Sequence, residues 1–262
     1  MFLRPREKKA TEIVAEKPLH WQRRLTIMIL LFGGISVVYL VVGLFAVESE
    51  TLWDASVDFD YRIPRSAPWL VVYFFYYFQI LAPASAVKDE RVLLRMCAAY
   101  GVIFVVAVPL WIWLPVTVER DPVLIGDFWT YALNVLRWKD PPVNCLPSMH
   151  VAHAAIAALV VWRVDRKFGT LMCLSVGMIW WSSLTVGQHW ILDGVLGLAI
   201  ALFADWLVFD FYKPLPKSAF QRIERKWHLV WIGFFVIGVI LVYCAYMWGW
   251  LAEEALSATL KI

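Results

Sequence analysis

Residues 168–209 form an apolar run of 42 residues in which His189, Asp193 and Asp205 are the only acidic or basic side chains. About 20 apolar residues in a helix cross a bilayer, so this run predicts two spans joined by a tight turn. Its midpoint falls near Gln188, which puts His189 at the turn and at a membrane surface. Asp193 follows one helical turn later, and an i, i+4 pair shares one helix face. Ionisable groups at membrane depth are costly and mark function. A carboxylate at that spacing bonds one imidazole nitrogen and leaves the other as a base or nucleophile.

The remaining chain belongs to the same class. Hydrophobic residues make up 61% of it and there are 16 tryptophans, which excludes an ordinary soluble domain. The pattern predicts an all-α, polytopic membrane helical bundle. Residues 1–24 read as a basic cytoplasmic tail, 25–209 as a six-span domain, and 210–262 as a basic loop, a seventh span and a short outer tail. The spans outside the long run are expected at 25–47, 67–87, 96–114, 148–162 and 229–252, with 115–147 a long loop. The first is read as an uncleaved span, because it is long for a signal peptide and no small-x-small site follows. The aromatic residues crowding 69–78 are read as packing and lipid-facing bulk.

Charge placement sets the orientation. Of 24 lysines and arginines, 18 lie in the tail and in the three loops on its side, which makes that side cytoplasmic. Arg120, the start of the fourth span and the His189 turn then share the outer face. Basic residues scattered over several short loops offer no nucleic-acid surface. The four cysteines include no CxxC pair, and only Cys145 lies in a loop, so neither a disulfide, a metal site nor a cofactor is expected.

The fourth span opens with Asn144-Cys145-Leu146-Pro147-Ser148-Met149-His150. Proline followed by serine suits a helix start, with the Ser148 hydroxyl expected to cap free N–H groups. Such an end attracts anions, and His150 lies in its first turn. A helix amino terminus, two histidines, a carboxylate and an arginine on one face suggest phosphoryl transfer.

Pro147-Ser148-Met149-His150, followed by Ser182-Ser183 and then His189 and Asp193, resembles two motifs of the type 2 phosphatidic acid phosphatase superfamily, P-S-G-H and S-R-x5-H-x3-D. The resemblance spans roughly residues 115–193. It implies a six-helix core, here with one additional C-terminal transmembrane helix, and a phosphohistidine intermediate without metal. His189 would be the nucleophile, Asp193 its orienting partner and His150 the general acid. Ser148 would contact phosphate, with Arg120, Asn144, Ser183, Arg137 and Lys139 as further substrate-binding candidates. Met149 stands where the family has glycine and Ser183 where it has arginine. The K-x6-R-P motif has only a loose counterpart around Arg120.

A non-glycine residue in P-S-x-H, with Asn144 just before, is similar to the inositol-phosphoceramide-synthase-like branch. Two enzymatic readings therefore stand side by side. One is a lipid or polyprenyl phosphate phosphatase, the other a head-group transferase with a lipid hydroxyl as acceptor. A transporter or non-catalytic membrane scaffold is the competitor of another class. A compact chain without an organelle address points to a bacterial inner membrane. Three smaller expectations complete the reading. His153 should be a buried histidine bonded to a neighbour, Asp205 an inner-surface or interhelical contact, and Trp111, Trp113, Trp180, Trp181 and Trp190 mostly an interfacial belt.

Overall fold

The computed structural model describes residues 21–47, 51–120, 126–140, 142–221 and 226–249. The basic residues before Trp21, the stretch 121–125 and the outer tail with Lys261 lie outside the described residues. The helices in chain order are α1 (Trp21–Val47), α2 (Leu70–Leu81), α3 (Pro83–Ala86), α4 (Glu90–Trp113), α5 (Phe128–Lys139), α6 (Met149–Val164), α7 (Arg166–Thr185), α8 (Ile191–Asp205) and α9 (Lys226–Met247). A wider-wound turn, Trp206–Phe211, extends α8. Two short parallel strands, β1 (Trp53–Asp54) and β2 (Val116–Thr117), join the loops before α2 and after α4.

Among the described residues, four helical stretches are long and apolar enough to cross a membrane: Gln22–Phe45, Glu90–Trp113, Arg166–Thr185 and Ile191–Phe211. Ala67–Leu81, Met149–Val164 and Val236–Met247 are shorter apolar helices. Large apolar side chains point outward along these elements, among them Leu30, Phe45, Val105, Leu171 and Leu174. Water does not tolerate so much exposed hydrocarbon, whereas lipid does. The chain is an all-α integral membrane bundle.

Three boundaries differ from expectation. The second apolar segment is not one helix: it breaks at Ala82, where Pro83 supplies no N–H to continue the ladder and starts α3. The third helix begins at Glu90, six residues early, because the Asp89 carboxylate caps it by accepting the Arg91 N–H at 2.8 Å. The supposed long loop 115–147 contains α5, started by a reciprocal Asp127–Thr130 capping box and held down by buried Tyr131, Leu133 and Leu136.

Helix α6 is the hub, packed by α2, α4, α7 and α8. Its Ala152, Ala154, Ala155, Ala157 and Ala158 are all buried, and small residues let helices approach closely where lipid offers no hydrophobic drive. Polar ties then hold the neighbours. Gln79 of α2 donates Nε2–H to Ala154 O at 3.0 Å and Met172 O at 3.1 Å, while its Oε1 accepts from Ser175. His153 is buried and bonded through Nδ1 to the Tyr76 hydroxyl at 3.0 Å, as expected of it.

The two ends of the bundle carry different chemistry. At one end Arg163 makes a two-pronged ion pair with Asp205, at 2.7 and 2.8 Å, joining α6 to α8 as an interhelical contact. Arg24 on the same end donates to Val87 O at 2.9 Å, and Arg23 pairs with Glu90 at 3.0 Å. The other end gathers the segments 51–69, 114–120, 137–140, 142–148 and 184–193.

Gly197 of α8 sets how closely that second end can close. A Cβ there would stand 2.5 Å from Ser148 O, a backbone atom that cannot swing aside. Gly197→Ala should therefore push α8 off the start of α6 and cost about 1–3 kcal/mol. Thermal unfolding in detergent measures this, and an unchanged melting temperature would rule out tight packing there.

Candidate active site

The turn between α7 and α8 is built from its backbone outward. The carbonyl of Ser183 accepts the N–H groups of Gln188 (2.9 Å) and His189 (3.3 Å), closing a loop that passes through Gly187 at φ 72°. Asp193, in the first turn of α8, is fully buried and reaches back to accept the Trp190 N–H at 2.8 Å. A carboxylate in the first helical turn satisfies free donors and suits the helix dipole. The same oxygen, Oδ2, lies 3.2 Å from His189 Nδ1.

With Nδ1 occupied, His189 Nε2 faces His150 Nδ1 at 3.2 Å. Asp193, His189 and His150 thus form one continuous chain of polar atoms. Asp193 also accepts the Ser148 N–H on its own backbone carbonyl at 2.9 Å, which locks the start of α6 to the start of α8. His150 is packed by Tyr73 and Tyr76, ring centroids 4.4 and 4.5 Å away, so two residues of the aromatic crowd in α2 wall the site.

The Ser148 hydroxyl does not cap α6, contrary to expectation. Ser148 is the N-cap residue, but its Oγ is buried with no hydrogen-bond partner among the described residues. Asp193 Oδ1 is likewise buried and unpartnered. Orphaned polar atoms of this kind mark where a ligand or water bonds.

The other candidates separate into two groups. Arg120 donates to Asp140 O at 2.6 Å and to Gln188 Oε1, which places it against the histidine turn. Arg137 donates to Val186 O at 3.3 Å on the same turn. Lys139 is exposed and lies over the Trp138 ring at 3.6 Å. Asn144 turns toward α1 and donates to Tyr39 O at 3.2 Å, because its backbone is left-handed at φ 59°. Ser183 spends its hydroxyl on Trp180 O at 2.7 Å within its own helix. The structure thus brings His150, His189, Asp193, Ser148, Arg120 and Arg137 together, and sends Lys139, Asn144 and the Ser183 hydroxyl elsewhere.

Several residues at this end escaped the sequence reading. Asp60 is buried in the loop before α2, and its Oδ1 accepts the Ile191 N–H at 2.9 Å, adding a second cap to α8. Arg65 donates to Leu184 O at 2.6 Å and lies over the Trp190 ring. Trp190 is not part of an interfacial belt. It is buried, its indole N–H bonded to Thr117 O at 2.9 Å, so it fastens β2 to the turn. Trp111 is buried as well, edge-on to Tyr39, while Trp113 and Trp181 are exposed as a belt requires.

Cys145, His189 and Asp193 place their donor atoms within 4.8 Å of one another, a set with metal-binding chemistry that the cysteine spacing had not suggested. Burial pushes the Cys145 thiol well above its ordinary value, and the Asp193 charge adds to this. The thiol form is therefore the stable one, and thiols bind metal only after losing their proton.

No family model matches this chain, and no curated protein or solved structure matches it either.

Asp140 carries a pH signature. It accepts the Tyr39 hydroxyl at 2.8 Å. Burial raises its carboxyl above the usual value, against the pull of Arg120, the Tyr39 bond and His189. A carboxyl raised in the folded state binds more protons there than when unfolded, so its stabilisation is present below about pH 4 and lost as pH rises. The melting temperature of Asp140→Asn relative to wild type should therefore rise between about pH 4 and neutrality. A flat difference would mean the carboxyl is not held in that state.

Proposed function

We propose that this chain is an integral membrane lipid-phosphate phosphatase or phosphotransferase working through a phosphohistidine at His189. The observation that carries the reading is the chain of contacts from Asp193 through His189 to His150, with the orphaned Ser148 hydroxyl beside it. The resemblance of 147–150 and 182–193 to the type 2 phosphatidic acid phosphatases supports it. That family's six-helix core would correspond to α1, α2, α4, α6, α7 and α8, with α9 as the additional helix.

His189 Nε2 attacks phosphorus while the bond from phosphorus to the substrate's alkoxyl oxygen breaks. His150 gives that oxygen its proton. Asp193 keeps Nδ1 protonated and stabilises the charged ring. Water or a lipid hydroxyl then attacks the phosphohistidine, passes its proton to His150 and releases His189. The Ser148 hydroxyl and Arg120 bond the phosphoryl oxygens, with Arg137 at the margin. Attack and departure occur on opposite sides of phosphorus. The two rings touch at 3.2 Å, so a bound phosphate must part them.

The basic loops at the far end of the bundle support a cytoplasmic amino terminus and an outward-facing site. The substrate is a lipid or polyprenyl phosphate reaching the site from the outer leaflet, in a bacterial inner membrane. The head-group transferase is the second reading. It is favoured because the Ser183 position offers no cation, and a phosphodiester carries less charge to neutralise.

Purified protein in detergent should release phosphate, or pass it to an added lipid alcohol, and His189→Ala should lose both activities. His150→Ala should lose roughly 10²–10⁴-fold on alkyl phosphates. It should recover most of that on a nitrophenyl phosphate, whose leaving oxygen needs no proton. Equal losses on both substrates would remove the acid role from His150. Chelators should leave turnover unchanged. If chelation abolished it and zinc restored it, Cys145, His189 and Asp193 would be a metal centre and the phosphohistidine step would be wrong.

A further inference from the structure

We infer that Arg65 and Arg137 form an anion subsite over Gly187 that holds the substrate's phosphoryl oxygens. The inference rests on the phosphotransfer reading and names cations that its sequence motifs lack. The two arginines come from separate parts of the chain, the loop before α2 and the end of α5. A Cβ built on Gly187 would meet Arg137 Nη2 at 3.2 Å and Arg65 Nη1 at 3.3 Å, so both guanidiniums close on one point. Gly187 is required there twice over. Its φ of 72° disfavours any side chain, and a side chain would fill the gap between the two cations.

Two guanidiniums converging on one point suit an anion, whose oxygens accept from both. Arg65 is exposed and spends one donor on Leu184 O, and no ion pair among the described residues involves it. A guanidinium has five N–H donors in a planar fork suited to phosphate oxygens. The adjoining Gln188 adds a buried Nε2 group with no acceptor among the described residues, while its Oε1 is held by Arg120. Gly187 lies two residues before His189, on the same turn. With serine at position 183, Arg65 and Arg137 supply the positive charge from outside the motif. Arg65 is in this sense a substrate-positioning residue.

The test uses the full chain in a nonionic detergent free of phospholipid, with a short-chain lipid phosphate as substrate and inorganic phosphate as competing anion. Arg65→Ala should raise KM and the phosphate inhibition constant by roughly 10- to 100-fold, the loss of one charged hydrogen bond. Arg65→Lys should recover part of it, and adding Arg137→Ala should cost less than the two separate losses combined. Unchanged KM and phosphate inhibition in Arg65→Ala would overturn the subsite. So would a defect seen only in phospholipid vesicles, because Arg65 would then meet bilayer head groups. Phosphate-induced thermal stabilisation is measured in parallel on His189→Ala, which does not turn over. If phosphate stabilises that protein only when Arg65 is present, the subsite stands even where wild type shows no phosphate transfer, and the transfer reading alone fails.

Discussion

The buried Asp193 carboxylate is the interaction on which the rest of this end of the molecule depends. One oxygen serves both the Trp190 N–H and the His189 ring, while the residue's carbonyl takes the Ser148 N–H. One side chain and its own backbone therefore set the start of α8, the orientation of the imidazole and the docking of α6. A charge buried at the edge of a membrane is tolerable only when it is bonded. Here the bonding partners are also the elements that bring the two histidines together.

Packing of the apolar bundle and placement of these polar groups are one problem. The alanines of α6 let α7 and α8 lie close, and Gly197 lets the Ser148 carbonyl sit against α8. Gln79 and His153 consume their polar atoms inside the bundle, on Ala154 O, Met172 O and Tyr76. His150 and Ser148 stand one turn higher and are left facing His189 or nothing at all. That difference between neighbouring turns of a single helix separates a histidine tied into the bundle from one turned toward His189.

How much of this was legible in the sequence follows from the range of each interaction. His189 and Asp193 were legible through their spacing of four residues, which brings them together although His189 stands in the turn just before α8 and not on the helix. Asp205 stood out as a charge in an apolar run, and His150 through its place behind Pro147 and Ser148. Helix α5 was missed because its capping pair is Asp127 with Thr130 instead of the commoner serine and glutamate, and because only one of its faces is apolar. Asp60 and Arg65 were missed because each bonds a backbone group more than a hundred residues away, and no local pattern marks such a partner. The Ser148 hydroxyl was misjudged for the opposite reason. A local rule assigned it to its helix, while the fold leaves it buried without a partner among the described residues.

The bond from Asp60 to the Ile191 N–H joins positions 131 residues apart, and this bears on how the protein is made. During synthesis the loop carrying Asp60 emerges long before α8 exists. Its carboxylate must wait, solvated, while six further helices, α2 to α7, are made and packed. The histidine turn therefore lacks this second cap until α8 has been made and the loop before α2 closes onto it. A nascent chain carries this end of the bundle open until α8 is in place.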